Sequence, residues 1–192
     1  MSDAVSALAG AAYEGFCTVA DAGLVGMVTI RGDLGAAKVK AAVTRACAVA
    51  VPGQGEIVTA KARRLAWMSP DELLLFCGPD EAQSLTGALS DALIGQHALV
   101  ANVSDARVVL RVTGRSSREV LAKLTPADVS PEALRPGQMR RTRLQQVPAA
   151  FHMPDETSFE VIAFRSVAEY VFKLLSNAAK PGGEVGLFAP AG

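Results

Sequence analysis

One feature constrains this chain more than any other: it repeats itself. Ala66-Trp67-Met68-Ser69-Pro70-Asp71-Glu72 lines up with Ala150-Phe151-His152-Met153-Pro154-Asp155-Glu156 at an offset of 84. Asp21-Ala22 and Asp105-Ala106 share that offset, and Gly32 matches Gly114 at an offset of 82. Each half reads as a strand, a Gly turn, a helix, a strand, a Pro-Asp-Glu turn, another strand and a helix. A period this long marks duplication of one supersecondary unit.

The first half opens on β-rich Leu24–Arg31, after which Asp33 is placed to cap a helix over 34–48. Residues 56–68 suit one strand or two short ones, and Pro70-Asp71 suits a turn. Leu73–Cys77 is a continuous apolar run of strand length. Pro79 opens a helix whose Leu85, Ala88, Leu89, Ala92 and Leu93 fall on one stripe, and Ala98–Val103 returns as a strand.

In the second half, Val108, Leu110 and Val112 alternate with Val109, Arg111 and Thr113. Ser116 with Glu119 and Ser166 with Glu169 carry the spacing of capping boxes. Three prolines make 125–137 an irregular connection, and strands are expected near 140–152 and 157–164. Val167, Val171, Leu174, Leu175 and Ala178 form the stripe of a last helix, and residues 184–188 are expected as a closing edge strand. The fold class is therefore α+β: two tandem ferredoxin-like (βαββαβ) units with antiparallel sheets, helices on one face of each. The expected division is an N-terminal arm over 1–22, a first unit over 23–104 and a second over 105–192.

Composition narrows the function classes. The 192 residues carry 19 basic and 19 acidic side chains, so no positive surplus exists for nucleic acid or an anionic membrane surface. Half of the residues are hydrophobic, but no apolar run approaches the ~18 residues of a membrane span. Residues 4–12 resemble the heart of a signal peptide, yet no Lys or Arg precedes Arg31. With three cysteines lacking metal-like spacing, the expectation is a cytoplasmic protein.

Chemistry-bearing motifs are sparse. His97 and His152 have no second ligand at helical spacing. Gly53-Gln54-Gly55 follows a helix, precedes a strand and lacks the third Gly of a dinucleotide loop, so it reads as a turn. Cys77 ends an apolar run, where packing outweighs nucleophilic work. Asp71-Glu72 and Asp155-Glu156 are paired carboxylates on turns, where solvated residues are the default. Arg140, Arg141 and Arg143 form the one cluster with a functional alternative, a subunit interface, against the plainer reading of a charged edge strand. On a strand, 141 and 143 share a face and 140 takes the other. No catalytic, cofactor-binding or metal-ligating residue is assigned.

Four stretches have a family character: residues 63–77, Asn102-Val103-Ser104-Asp105-Ala106-Arg107, Pro136-Gly137 leading to Thr142-Arg143-Leu144, and Arg165-Ser166-Val167-Ala168-Glu169-Tyr170. In order and spacing they resemble the gamma-subunit family of heterotetrameric sarcosine oxidase, over roughly residues 24–180. The resemblance implies the aminomethyltransferase-like, folate-binding one-carbon fold. It implies a bacterial complex that demethylates sarcosine oxidatively to glycine, releasing hydrogen peroxide and passing the methyl carbon to tetrahydrofolate. Within it, alpha and beta subunits would hold FAD, FMN, NAD and folate, a delta subunit would hold zinc, and this chain would hold none. The isolated chain is expected to be inactive and to self-associate over exposed apolar surface. The alternatives are a stand-alone folate-binding one-carbon transferase and a small regulatory ligand-binding module.

Overall fold

The computed structural model describes residues 4–188. In chain order its elements are β1 (Ala12–Glu14), β2 (Thr18–Asp21), β3 (Gly26–Arg31), α1 (Ala37–Cys47), β4 (Ile57–Ala60), β5 (Arg63–Ser69), β6 (Glu72–Cys77), α2 (Ala82–Ala92) and β7 (Leu99–Asn102). There follow β8 (Arg107–Thr113), α3 (Ser117–Ala122), β9 (Met139–Leu144), β10 (Val147–Asp155), β11 (Ser158–Phe164) and α4 (Ala168–Ala178). Two compact units result: residues 24–105, and the segment up to 23 together with 106 onward.

In the 24–105 unit the sheet order is β4-β5-β6-β3-β7, all antiparallel. With β4 set aside as an added hairpin strand, this is the βαββαβ order. One sheet face packs on α1 and α2 through Val28, Ile30, Leu65, Leu73 and Leu75 against Val39, Val43, Leu85 and Leu89. Each such side chain contributes about 1.5–3 kcal/mol on burial. The stripe of α2 is narrower than its spacing predicts: Leu85, Leu89 and Leu93 are buried, while Ala88 and Ala92 are exposed. Asp33 does not cap α1. Its carboxylate accepts from the Gly35 N–H at 2.8 Å, and Ala36 occupies the cap position.

The other unit has the order β1-β2-β8-β11-β10-β9. Its core gathers Val108, Leu110, Val112, Phe151, Phe159, Val161, Val171 and Leu175, with Phe151 and Phe159 edge to face at 5.9 Å between ring centroids. The two capping boxes do not form: no side chain caps α3 or α4, and Glu119 and Glu169 each reach a lysine one turn on.

Two further expectations are corrected. Of the N-terminal arm expected over 1–22, the described part is joined to the 106-onward unit, because β1 and β2 extend the sheet on β8. Gly15 allows this approach: the Phe16 N–H donates to the Ala179 carbonyl at 2.9 Å, and a Cβ at Gly15 would collide with that oxygen. Nor do residues 184–188 form a strand. The place beside β8 is filled by β2, and the Val185, Gly186 and Leu187 N–H groups donate to the Glu119 carboxylate instead.

Candidate subunit interface

The arginine strand is held by a two-residue hairpin. Leu144 pairs with Val147 across Gln145-Gln146, and Arg143 then sits opposite Pro148. Pro148 has no N–H, which suits a non-hydrogen-bonded position of the ladder. β9 ends the sheet. Arg140 lies opposite core residue Phe151, whereas Arg141 and Arg143 lie opposite Ala150 and Pro148, so the alternation expected of a strand is met.

The three guanidinium groups divide by role. Arg140 donates to the carbonyls of Met139, at 2.8 Å, and Ala133, tying the 125–137 connection to β9. Arg141 and Arg143 are exposed.

Composition and spacing gave no signal for a fourth arginine, Arg118. It is buried, its Nη1 donates to the carbonyls of Val129 and Leu134 at 2.8 Å each, and its Nη2 pairs with Glu156 at 3.2 Å. One cation thus satisfies carbonyls of an irregular segment that has no sheet partner to do so.

The paired carboxylates behave unequally. Asp71 is exposed and lies 3.8 Å from Arg31, but Glu72 is buried, pairing with Arg31 at 2.9 Å and accepting from Thr29 Oγ1 at 3.0 Å. Glu72 is therefore not the solvated turn residue expected. Asp155 accepts from Ser158 and Thr157, which holds its carboxyl below the usual range. His152 is buried with Nε2 3.2 Å from Glu160, whose other oxygen meets Arg111 at 3.2 Å. His97 is exposed and helps line a 480 Å³ cleft with Arg31, Asp33, Asp71 and Leu99. Among the described residues no three His, Cys, Asp or Glu side chains are grouped to hold a metal ion. Gly53-Gln54-Gly55 turns into β4, with the Gly53 N–H on the Glu56 carboxylate at 2.9 Å. All three cysteines are buried, and burial pushes the Cys47 thiol up to about 12. No helix of the described residues is long and apolar enough to cross a membrane.

Two antiparallel sheets backed by helices, one in βαββαβ order and one whose closing strand β2 comes from the N-terminal segment, place the chain in the aminomethyltransferase-like fold class. A glycine cleavage system aminomethyltransferase T from Bartonella henselae superposes with a TM-score of 0.59 at 18% identity, over 84% of this chain and 45% of that one. Closer in sequence, a sarcosine oxidase subunit gamma from an Arthrobacter species is 32% identical over 162 residues, 83% of this chain and 77% of its own length. A chain of heterotetrameric sarcosine oxidase from Corynebacterium sp. U-96 superposes with a TM-score of 0.78 at 25% identity, covering 85% of this chain and 83% of that one. The family model for sarcosine oxidase, gamma subunit family, matches residues 31–181, and the chain belongs to that family.

Proposed function

We propose that this chain is the non-catalytic gamma subunit of a heterotetrameric sarcosine oxidase, a complex that demethylates sarcosine oxidatively to glycine. The methyl carbon would pass to tetrahydrofolate, and oxygen would leave as hydrogen peroxide. The observation that carries this reading is the family match over residues 31–181, joined to the superposition on a heterotetrameric sarcosine oxidase chain.

The partners are alpha, beta and delta subunits, which hold FAD, FMN, NAD, tetrahydrofolate and zinc, and the assembly is cytoplasmic. The chain's own residues support that division of labour: its Gly-rich segment is a turn before a strand, and its buried Arg118 serves backbone carbonyls. Its contribution is shape and contact. The exposed Arg141 and Arg143 at the sheet edge supply a guanidinium face for a carboxylate-bearing partner surface.

The likeness to an aminomethyltransferase favours a second reading, a stand-alone folate-binding module. Titration of the purified chain with a reduced folate separates the two. Saturable micromolar binding without other subunits supports the module, and its absence supports the subunit.

A further inference from the structure

The Gly32–Gly114 match puts the two sheets in register strand for strand. With Arg31 equivalent to Thr113, β3 corresponds to β8, and the strand beside each can be matched residue by residue. Leu99, Val100, Ala101 and Asn102 of β7 pair with Arg31, Ile30, Thr29 and Val28. Thr18, Val19, Ala20 and Asp21 of β2 pair with Thr113, Val112, Arg111 and Leu110. Backbone bonds confirm the equivalence: the Ala22 N–H donates to the Val109 carbonyl at 2.9 Å, and the Val103 N–H donates to the Met27 carbonyl at 2.8 Å.

The two strands differ in what lies beyond them. β2 is covered by β1, with Tyr13 opposite Val19 and Glu14 opposite Thr18. The Asp21 N–H donates outward to the Ala11 carbonyl at 2.8 Å. β7 ends its sheet. By the alternation of an antiparallel ladder, the Val103–Met27 bond turns the amide groups of Val100 and Asn102 to that outer edge, as Val19 and Asp21 turn theirs to β1. Exposure follows: Val19 is fully buried where Val100 is only partly so, and Leu99 is 56% exposed at the place of half-buried Thr18.

We propose that the outer edge of β7 receives an extended segment of another subunit of the assembly, added antiparallel as β1 is added to β2. This rests on the subunit reading above. The side chains define the segment's chemistry. In the covered unit Thr18 Oγ1 donates to Glu14 at 2.8 Å. Leu99 has no such group, so the incoming strand carries an aliphatic or aromatic side chain opposite Leu99 in place of the acid. β7 also lacks the devices that protect natural edges: it has no charge, no proline and no bulge. β9, by contrast, carries three arginines. Ile94, 78% exposed on the approach to β7, adds apolar surface. Main-chain bonds from an added strand would give affinity and the side chain opposite Leu99 specificity.

The test is residue-resolved hydrogen exchange on the free chain and on the complex co-expressed with the other sarcosine oxidase subunits. Expected is fast exchange of the Val100 and Asn102 amides in the free chain and slowing by about tenfold or more in the complex. Leu99→Lys, at an exposed position, should leave the free chain's melting temperature unchanged and lower its recovery in the complex. A complex in which both amides exchange as in the free chain overturns the proposal alone. Failure of any complex to form overturns it together with the subunit reading. Protection in the free chain that disappears on dilution assigns the edge to a second copy, and also overturns it.

Discussion

Lys61 and Gln145, 84 residues apart, both hold a left-handed backbone, with φ of 54° and 51°, at the first position of a two-residue hairpin turn. The duplication thus reaches turn geometry, although neither residue is the Asn or Gly such turns favour. Lys61→Asn and Gln145→Asn should each stabilise the chain by ~0.5–1 kcal/mol, read as a higher urea midpoint. An unchanged or lower midpoint would contradict the turn assignment.

Arg118, buried, serves the carbonyls of Val129 and Leu134. Arg118→Met keeps the volume but orphans these acceptors and should destabilise by about 3 kcal/mol. Limited proteolysis should then cut within 125–137 before the folded remainder, whereas cleavage spread evenly would contradict the role given to Arg118.

Glu119 links α3 to the C-terminal segment. Burial alone would raise its carboxyl pKa, but the Val185 and Leu187 N–H groups and Lys123 more than offset this and hold it below the ordinary value. A carboxyl depressed on folding adds stability that is complete above the ordinary glutamate pKa of about 4.3 and is lost as pH falls through the lower folded value. Exchange of the 185–187 amides should therefore accelerate in that acid window. Glu119→Gln should flatten the pH dependence.

Desolvation keeps Cys47 protonated far above neutral pH, and it raises Cys17 and Cys77 as well. At pH 8 a thiol reagent should modify none of the three at the rate of a free cysteine until denaturant is added. Rapid labelling of Cys47 in the folded chain would contradict its burial.

The arginines of β9 should separate by function. Arg143→Glu should weaken subunit assembly while leaving the melting temperature of the free chain in place. Arg140→Ala, which removes bonds to the Met139 and Ala133 carbonyls, should lower that temperature. Equal effects of the two substitutions on stability would argue against an interface at Arg143.

Local chemistry made much of this legible from sequence. Pro70-Asp71 makes the β5–β6 turn as expected, whereas Pro154-Asp155 ends β10 and Glu156-Thr157 makes the β10–β11 turn; each hairpin carries a register shift just before its turn, at Trp67/Ser69 and His152/Asp155. The apolar run Leu73–Cys77 became β6, buried along its length. β1 and β2 were not legible, because Ala-Tyr-Glu and Thr-Val-Ala-Asp are too short and polar to announce a strand. They owe their state to β8, some ninety residues away in sequence. Sequence distance also hid Glu119, whose spacing from Ser116 imitates a capping box while its carboxylate serves residues 185–187. Within the arginine cluster, strand periodicity separated Arg140 from Arg141 and Arg143. Its carbonyl partners depended on how the proline-rich connection folds.

The central claim, that this chain works as one subunit of a sarcosine oxidase, is tested most directly by co-expression with the other subunits of such an oxidase. The account predicts a single complex holding all four chains in equal numbers and releasing hydrogen peroxide when sarcosine is added. A peroxide-releasing enzyme that assembles without this chain, leaving it to elute alone, would contradict it.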